Sequence, residues 1–133
     1  MGTLNHLVVA DIIWLKRFAA HPAGFNTLES IRGLADPQAL SQQIFSDLDE
    51  LVAQRQFLDK AIIEWTSELC EADLDVTLHY ANTAGIKAQR DFYGLLIHFF
   101  NHQTHHRGQA TTLLSQAGAD VGSTDLLALI ADI

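Results

Sequence analysis

Four of the chain's seven histidines stand in one short run, His98-Phe99-Phe100-Asn101-His102-Gln103-Thr104-His105-His106. On a helix, with about 100° between successive residues, His98, His102, His105 and His106 share about a third of the circumference. Leu95, Gln109 and Leu113 fall on the same stripe, while Gln103, Thr104, Arg107 and Thr111 lie opposite, where they can face water or a partner. Two imidazoles four residues apart point the same way, and each can give a ring nitrogen to one metal ion. Both His98/His102 and His102/His106 have that spacing. Several neutral imidazoles packed side by side lack the acceptors to satisfy one another, which favours a metal over a plain core.

A metal needs a further ligand from another segment. His6 lies on an apolar helix face with Val9, Ala10 and Ile13, where an unpaired imidazole would be costly. Taken alone, such a histidine is more often a hydrogen-bonded core residue than a ligand. Beside a histidine pair elsewhere it is the best third donor. His21 and His79 read as surface or loop residues, and Trp14, Trp65, Phe99 and Phe100 as core. Two metal classes drop out. The zincin motif needs a glutamate directly after its first histidine, where this chain has Gln103. Di-iron bundles need Glu-x-x-His pairs, and the sequence contains none. An all-nitrogen set completed by water suits one divalent ion, zinc or nickel best, with iron and manganese also compatible.

The elements that must position these residues can be read from their patterns. Thr3 to about Ala20 is apolar nearly all round, with Thr3 as a cap and His21-Pro22 as a stop, so a helix buried on most sides is expected. Residues 23–35 read as irregular, with Gly24, Asn26 and Gly33 as breakers. Asp36-Pro37 resembles an N-cap followed by proline in the first turn. From there Leu40, Ile44, Leu48, Leu51, Leu58, Ile62, Trp65 and Leu69 keep helical spacing, with Arg55 filling one place in the seam. Residues 74–89 combine strand-like Val76-Thr77-Leu78-His79-Tyr80 with turn-forming Asn82-Thr83-Ala84-Gly85, which predicts a crossover loop with a small hairpin. The last long helix is expected from about Arg90 to Ala117, closed by Gly118, and the tail after Ser123-Thr124-Asp125 suits one or two further helical turns.

Bulk properties narrow the function. The 133 residues suit a single domain, and a hydrophobic fraction of 48% supplies a core without disulfides. Cys70 is the single cysteine, and no signal-peptide pattern opens the sequence, so a reducing, cytoplasmic setting is expected. With 16 acidic and 8 basic residues, a net charge of −8 and no basic patch, nucleic acid is excluded as an expected partner. No apolar run is long enough to span a membrane, and the acidic balance disfavours anionic membrane surfaces. A small-molecule substrate is compatible with all of this.

Asn5-His6-Leu7, continuing through Ala10-Asp11 to Trp14, resembles the first histidine segment of the DinB family of bacterial proteins, also described as DinB/YfiT-like metalloenzymes. Asn101-His102-Gln103-Thr104-His105-His106-Arg107-Gly108-Gln109 resembles that family's most recognisable signature. Tyr80-Ala81-Asn82-Thr83-Ala84-Gly85 and Gly122-Ser123-Thr124-Asp125-Leu126 are similar to family segments as well, so the resemblance covers nearly the whole chain. It implies an all-α, up-down-down-up four-helix bundle holding one divalent metal through His6, His102 and His106. His98 and His105 would then be neighbours of the site, and Asn5, Asp11 and Gln109 candidates for orienting the imidazoles or a bound water. Relatives usually carry a helix ahead of the segment that starts here at Gly2. Either the true start lies upstream or the bundle is completed differently, and in the second case a homodimer, with elements exchanged between copies, is the expected way to cover the exposed face. Relatives of this fold include thiol-dependent transferases and isomerases. The leading expectation is therefore an enzyme that activates a thiol or water at the metal, transferase- or hydrolase-like. The alternative is a non-catalytic bundle whose metal is structural or absent.

Overall fold

The computed structural model describes residues 1–132 of the chain. Three long helices carry the architecture: α1 (Gly2–Phe18), α3 (Leu48–Glu68) and α4 (Phe92–Gln116). A short helix, α2 (Glu29–Arg32), follows α1, and a hairpin of β1 (Thr77–Ala81) and β2 (Lys87–Asp91) joins α3 to α4. The protein is thus mostly helical, with a small two-stranded antiparallel sheet.

Helix α1 packs against both α3 and α4, which is why its apolar residues run nearly all round. Leu7, Val8, Val9, Ala10, Ile12, Ile13, Leu15 and Phe18 are all buried. The core continues in a cluster of rings. Phe18 stacks on Trp65 at 5.1 Å between centroids, and Phe92 and Phe99 meet Phe18 edge-on. Such offset and edge-to-face pairs add about 0.5–1.5 kcal/mol beyond the area they bury. Leu51, Leu58 and Trp65 form the buried seam of α3, as their spacing predicted.

Several boundaries differ from the expected ones. Met1, not Thr3, is the N-cap of α1, and it makes no side-chain cap bond. The stretch expected to be irregular contains a 3-10 turn (Asn26–Leu28) running into α2. The larger correction is the start of α3. Asp36-Pro37 does not open a helix, and Leu40, Ile44 and Leu48 are exposed. Residues 36–47 are instead held as a loop. Lys16 Nζ lies 2.5 Å from Asp36 Oδ1 and donates to the Leu34 carbonyl at 2.5 Å. Asn5 takes both main-chain groups of Phe45, each at 2.9 Å. Asp47 then caps α3, its Oδ1 accepting from the N–H groups of Asp49 and Glu50. A buried amide on another helix thus overrides the helical spacing of the apolar residues.

The hairpin is present as expected, with Leu78 opposite Arg90 and Tyr80 opposite Ala88. Asn82 Oδ1 accepts from the N–H groups of Ala84 and Ile86, and Gly85 takes the positive φ the turn needs. Strand β2 runs to Asp91, so α4 begins two residues later than the pattern suggested, with Asp91 as its cap. Gly118, at φ 85°, closes α4. Its N–H bonds the Ser115 carbonyl and that of Ala119 bonds Leu114, the two bonds of a Schellman ending. The tail forms a single 3-10 turn, Leu126–Leu129. No helix among the described residues is long and apolar enough to cross a membrane.

Candidate metal centre

Helix α1 presents His6 in its second turn, and α4 presents His102 and His106 one turn apart near its middle. The packing of α1 on α4 brings the three rings together. Centroids lie 5.2 Å apart for His6 and His102, 4.5 Å for His6 and His106, and 4.4 Å for His102 and His106. One ring nitrogen from each lies within 4.8 Å of the others, and all three side chains are partly buried. Nε2 of His6 is 3.3 Å from Nε2 of His102. Two nitrogens on a tetrahedral ion, each bound at about 2.0–2.1 Å, would sit about 3.3 Å apart. The donor set therefore fits a divalent ion in chemistry and in spacing.

The second nitrogens decide which atoms face the cluster. His6 Nδ1 lies 3.1 Å from the Leu40 carbonyl, and His106 Nδ1 lies 2.7 Å from Gln109 Oε1. An oxygen acceptor at Nδ1 places the proton there and leaves the Nε2 lone pair free for a metal. Gln109 is turned by a second bond, its Nε2 donating to His105 Nε2 at 3.2 Å. His102 is pushed down to a pKa of about 4, first by burial and then by the charges His106 and His6 would carry. It is neutral, and so able to ligate, well below neutral pH.

The other expected site residues lie around this cluster. His98 is exposed and packs edge-on against Trp14 at 5.1 Å, with its ring 5.9 Å from that of His102. His105 packs against His106 at 4.9 Å. Asn5 reaches the main chain of Phe45 and not an imidazole, so it acts on the loop that carries the Leu40 carbonyl. Asp11 also turns elsewhere. It is buried, ion-paired with Arg55 Nη1 at 2.5 Å, and accepts a hydrogen bond from Gln103 Nε2. Arg55 in turn holds Asp59 at 2.9 Å. Burial outweighs these partners and raises the Asp11 pKa to about 6.

Three assignments need correction. Gln103 is buried and not on an outer face, because Asp11 of α1 draws it inward. His21 is buried, its Nδ1 accepting from the Ala23 N–H and its Nε2 meeting the Asp73 carbonyl. Phe100 is exposed, whereas Trp14, partly buried, packs against the core as expected. The Asp11–Arg55–Gln103 bridge across three helices was missed from sequence. A signal existed: Asp11 is the one acid in an apolar helix, and Arg55 the one charge in an apolar seam.

A mostly helical fold with three imidazoles converging from two helices defines a protein whose centre could hold a metal ion. The model of the DinB family matches residues 1–132, and the chain belongs to the DinB family. No curated protein and no solved structure gives a significant match.

Proposed function

We propose that this protein is a metal-dependent enzyme whose divalent ion, zinc or nickel, is held by His6, His102 and His106. The observation that carries the reading is the orientation of the imidazoles. Two of three Nδ1 groups meet an oxygen acceptor, Nε2 of His6 lies 3.3 Å from Nε2 of His102, and one ring nitrogen of each histidine comes within 4.8 Å of the others. Three neutral ligands leave the ion's charge uncompensated and a coordination position open. A bound ion would then supply the Lewis acidity that makes a thiol or water nucleophilic near neutral pH. The chain's own part is to keep His102 uncharged, to fix the tautomers of His6 and His106, and to leave the cluster half-open for a small-molecule substrate. The up-down-down-up bundle of the family is the arrangement this reading assumes.

The non-catalytic alternative needs a closed, four-ligand shell. His98 and His105 are the available fourth donors, but they are engaged with Trp14 and Gln109, which favours the open site. The test is turnover by metal-loaded protein, offered thiol acceptors with electrophilic substrates and, separately, hydrolysable esters and amides. Metal-dependent turnover of either set is expected; none with either, in fully loaded protein, contradicts the enzyme reading.

We also propose that two copies associate. Tyr93, Ile97 and Phe100, spaced four and three along α4, are 54%, 54% and 43% exposed. They form an apolar stripe on the side of the α4 core face away from the histidines, which supports a symmetric pairing that leaves the metal centre accessible.

A further inference from the structure

Beside the histidine cluster lies a recess of about 450 Å³ that the metal site by itself does not explain. Its walls are Trp14 from α1, Tyr80 from β1, and Leu95 and His98 from α4; Arg90, Asp91 and Gly94 close the end where the hairpin enters α4. The volume falls in the range of small-molecule sites, roughly 300–1,000 Å³. Its walls are aromatic and apolar. Trp14 meets Tyr80 edge-on at 5.6 Å and His98 at 5.1 Å. His98 is one helical turn from His102, its ring 5.9 Å away, so a molecule seated against His98 is separated from the three histidines by that one side chain.

Charge gives the recess a direction. Among the described residues, Arg90 has no carboxylate partner, and its one hydrogen bond is a long contact of 3.4 Å with the neighbouring Gln89 carbonyl. Asp91 also lines the recess, but its Oδ2 caps α4 by accepting from the Gly94 N–H. Arg17 stands behind the aromatic wall, 4.5 Å from the Trp14 ring and 4.7 Å from the Tyr80 ring, and it donates to the Ala81 carbonyl. It too lacks a carboxylate partner among the described residues. Arg17 and Arg90 thus place two guanidinium groups without a carboxylate partner, among the described residues, beside one aromatic slot. Arg17 is committed to the wall, where it clamps both rings. Arg90, apart from its long contact with Gln89, has no donor engaged among the described residues.

We propose that this recess is the substrate-binding part of the site and takes a small organic acid with a planar or apolar body. The body lies between Trp14, Tyr80 and His98, the carboxylate meets Arg90, and the opposite end reaches the three histidines. Arg90 is thus a specificity-determining residue. This inference rests on the reading of the histidines as the reactive centre, but the recess can be tested apart from it.

The probes are 3-phenylpropionate and its uncharged amide, titrated by calorimetry into metal-loaded wild-type protein and into Arg90→Gln and His102→Ala. Amide chemical shifts locate the bound probe. The acid should bind roughly tenfold more tightly than the amide, shifting the Trp14 indole and Gly94 signals. Arg90→Gln should abolish that preference without changing the melting temperature, and His102→Ala should keep it. Equal binding of acid and amide, no binding of either, or a preference that survives Arg90→Gln would overturn the proposal. A preference lost in His102→Ala would place the carboxylate at the metal and overturn it too. Absence of metal from the native protein, with the acid preference intact, would sink the histidine reading alone.

Discussion

At the scale of single residues, the histidine cluster depends on what holds each Nδ1. Among the described residues Gln109 is the one side chain that does so, for His106. Gln109→Ala should lower metal affinity by about 10–100-fold with little loss of fold stability, since Gln109 is exposed. Competition against a chelator of known affinity measures it; unchanged affinity would show that His106 needs no orienting partner. Two groups also make opposite contributions to stability against pH in metal-free protein. His102 falls from 6.5 to about 4 on folding, so the stability it contributes is present above pH 6.5 and lost as pH falls towards 4. Asp11 rises from 3.8 to about 6, so its contribution is present below pH 3.8 and lost as pH rises through 6. Asp11→Asn removes the second slope and leaves the first. Urea titrations with a chelator present should then show stability climbing more steeply from pH 4 to 6 than in wild type; a flatter climb would contradict the assignment.

At the scale of elements, the loop of residues 36–47 is the part that spacing misread and that the site needs. Leu40 and Ile44 fall at helical intervals with the α3 seam, and nothing local says that they are outside it. The deciding contact is Asn5 with the Phe45 main chain, forty residues away in sequence. Asn5→Ala should cost about 1–3 kcal/mol, because it leaves main-chain groups of Phe45 without their partner. It should also free the Leu40 carbonyl from His6. Limited proteolysis should then cut within 36–47 faster, and metal affinity should fall. A variant with wild-type protease resistance and affinity would show that the loop is held by other means. By contrast, the hairpin, Gly118 and the histidine stripe of α4 were legible, because each depends on residues close in sequence. The Asp11–Arg55–Gln103 bridge was not, because its three members come from three helices, and Asp11 and Arg55, although each out of place on an apolar surface, do not name each other as partners in sequence.

At the scale of the whole molecule, the amphipathic pattern of α4 has three parts. Phe92, Leu95, Leu96, Phe99 and Gln103 face the core; the histidines flank one side of it, and Tyr93, Ile97 and Phe100 flank the other. The first two parts are accounted for by α1 and by the candidate metal centre. The third is expected to pair with a second copy. Light scattering should give a dimer for the wild type and a monomer for Ile97→Glu, a change the exposed position tolerates in an isolated chain. A wild-type monomer at high concentration would contradict the pairing and leave the metal centre untouched. That centre joins the two histidine-bearing helices, so its occupancy tests the account most directly. Elemental analysis of protein produced with divalent metals available should find one divalent ion per chain in the wild type and a large deficit in His102→Ala. Wild-type protein without stoichiometric metal, or a His102→Ala protein loaded to the same level, would contradict the three-histidine centre.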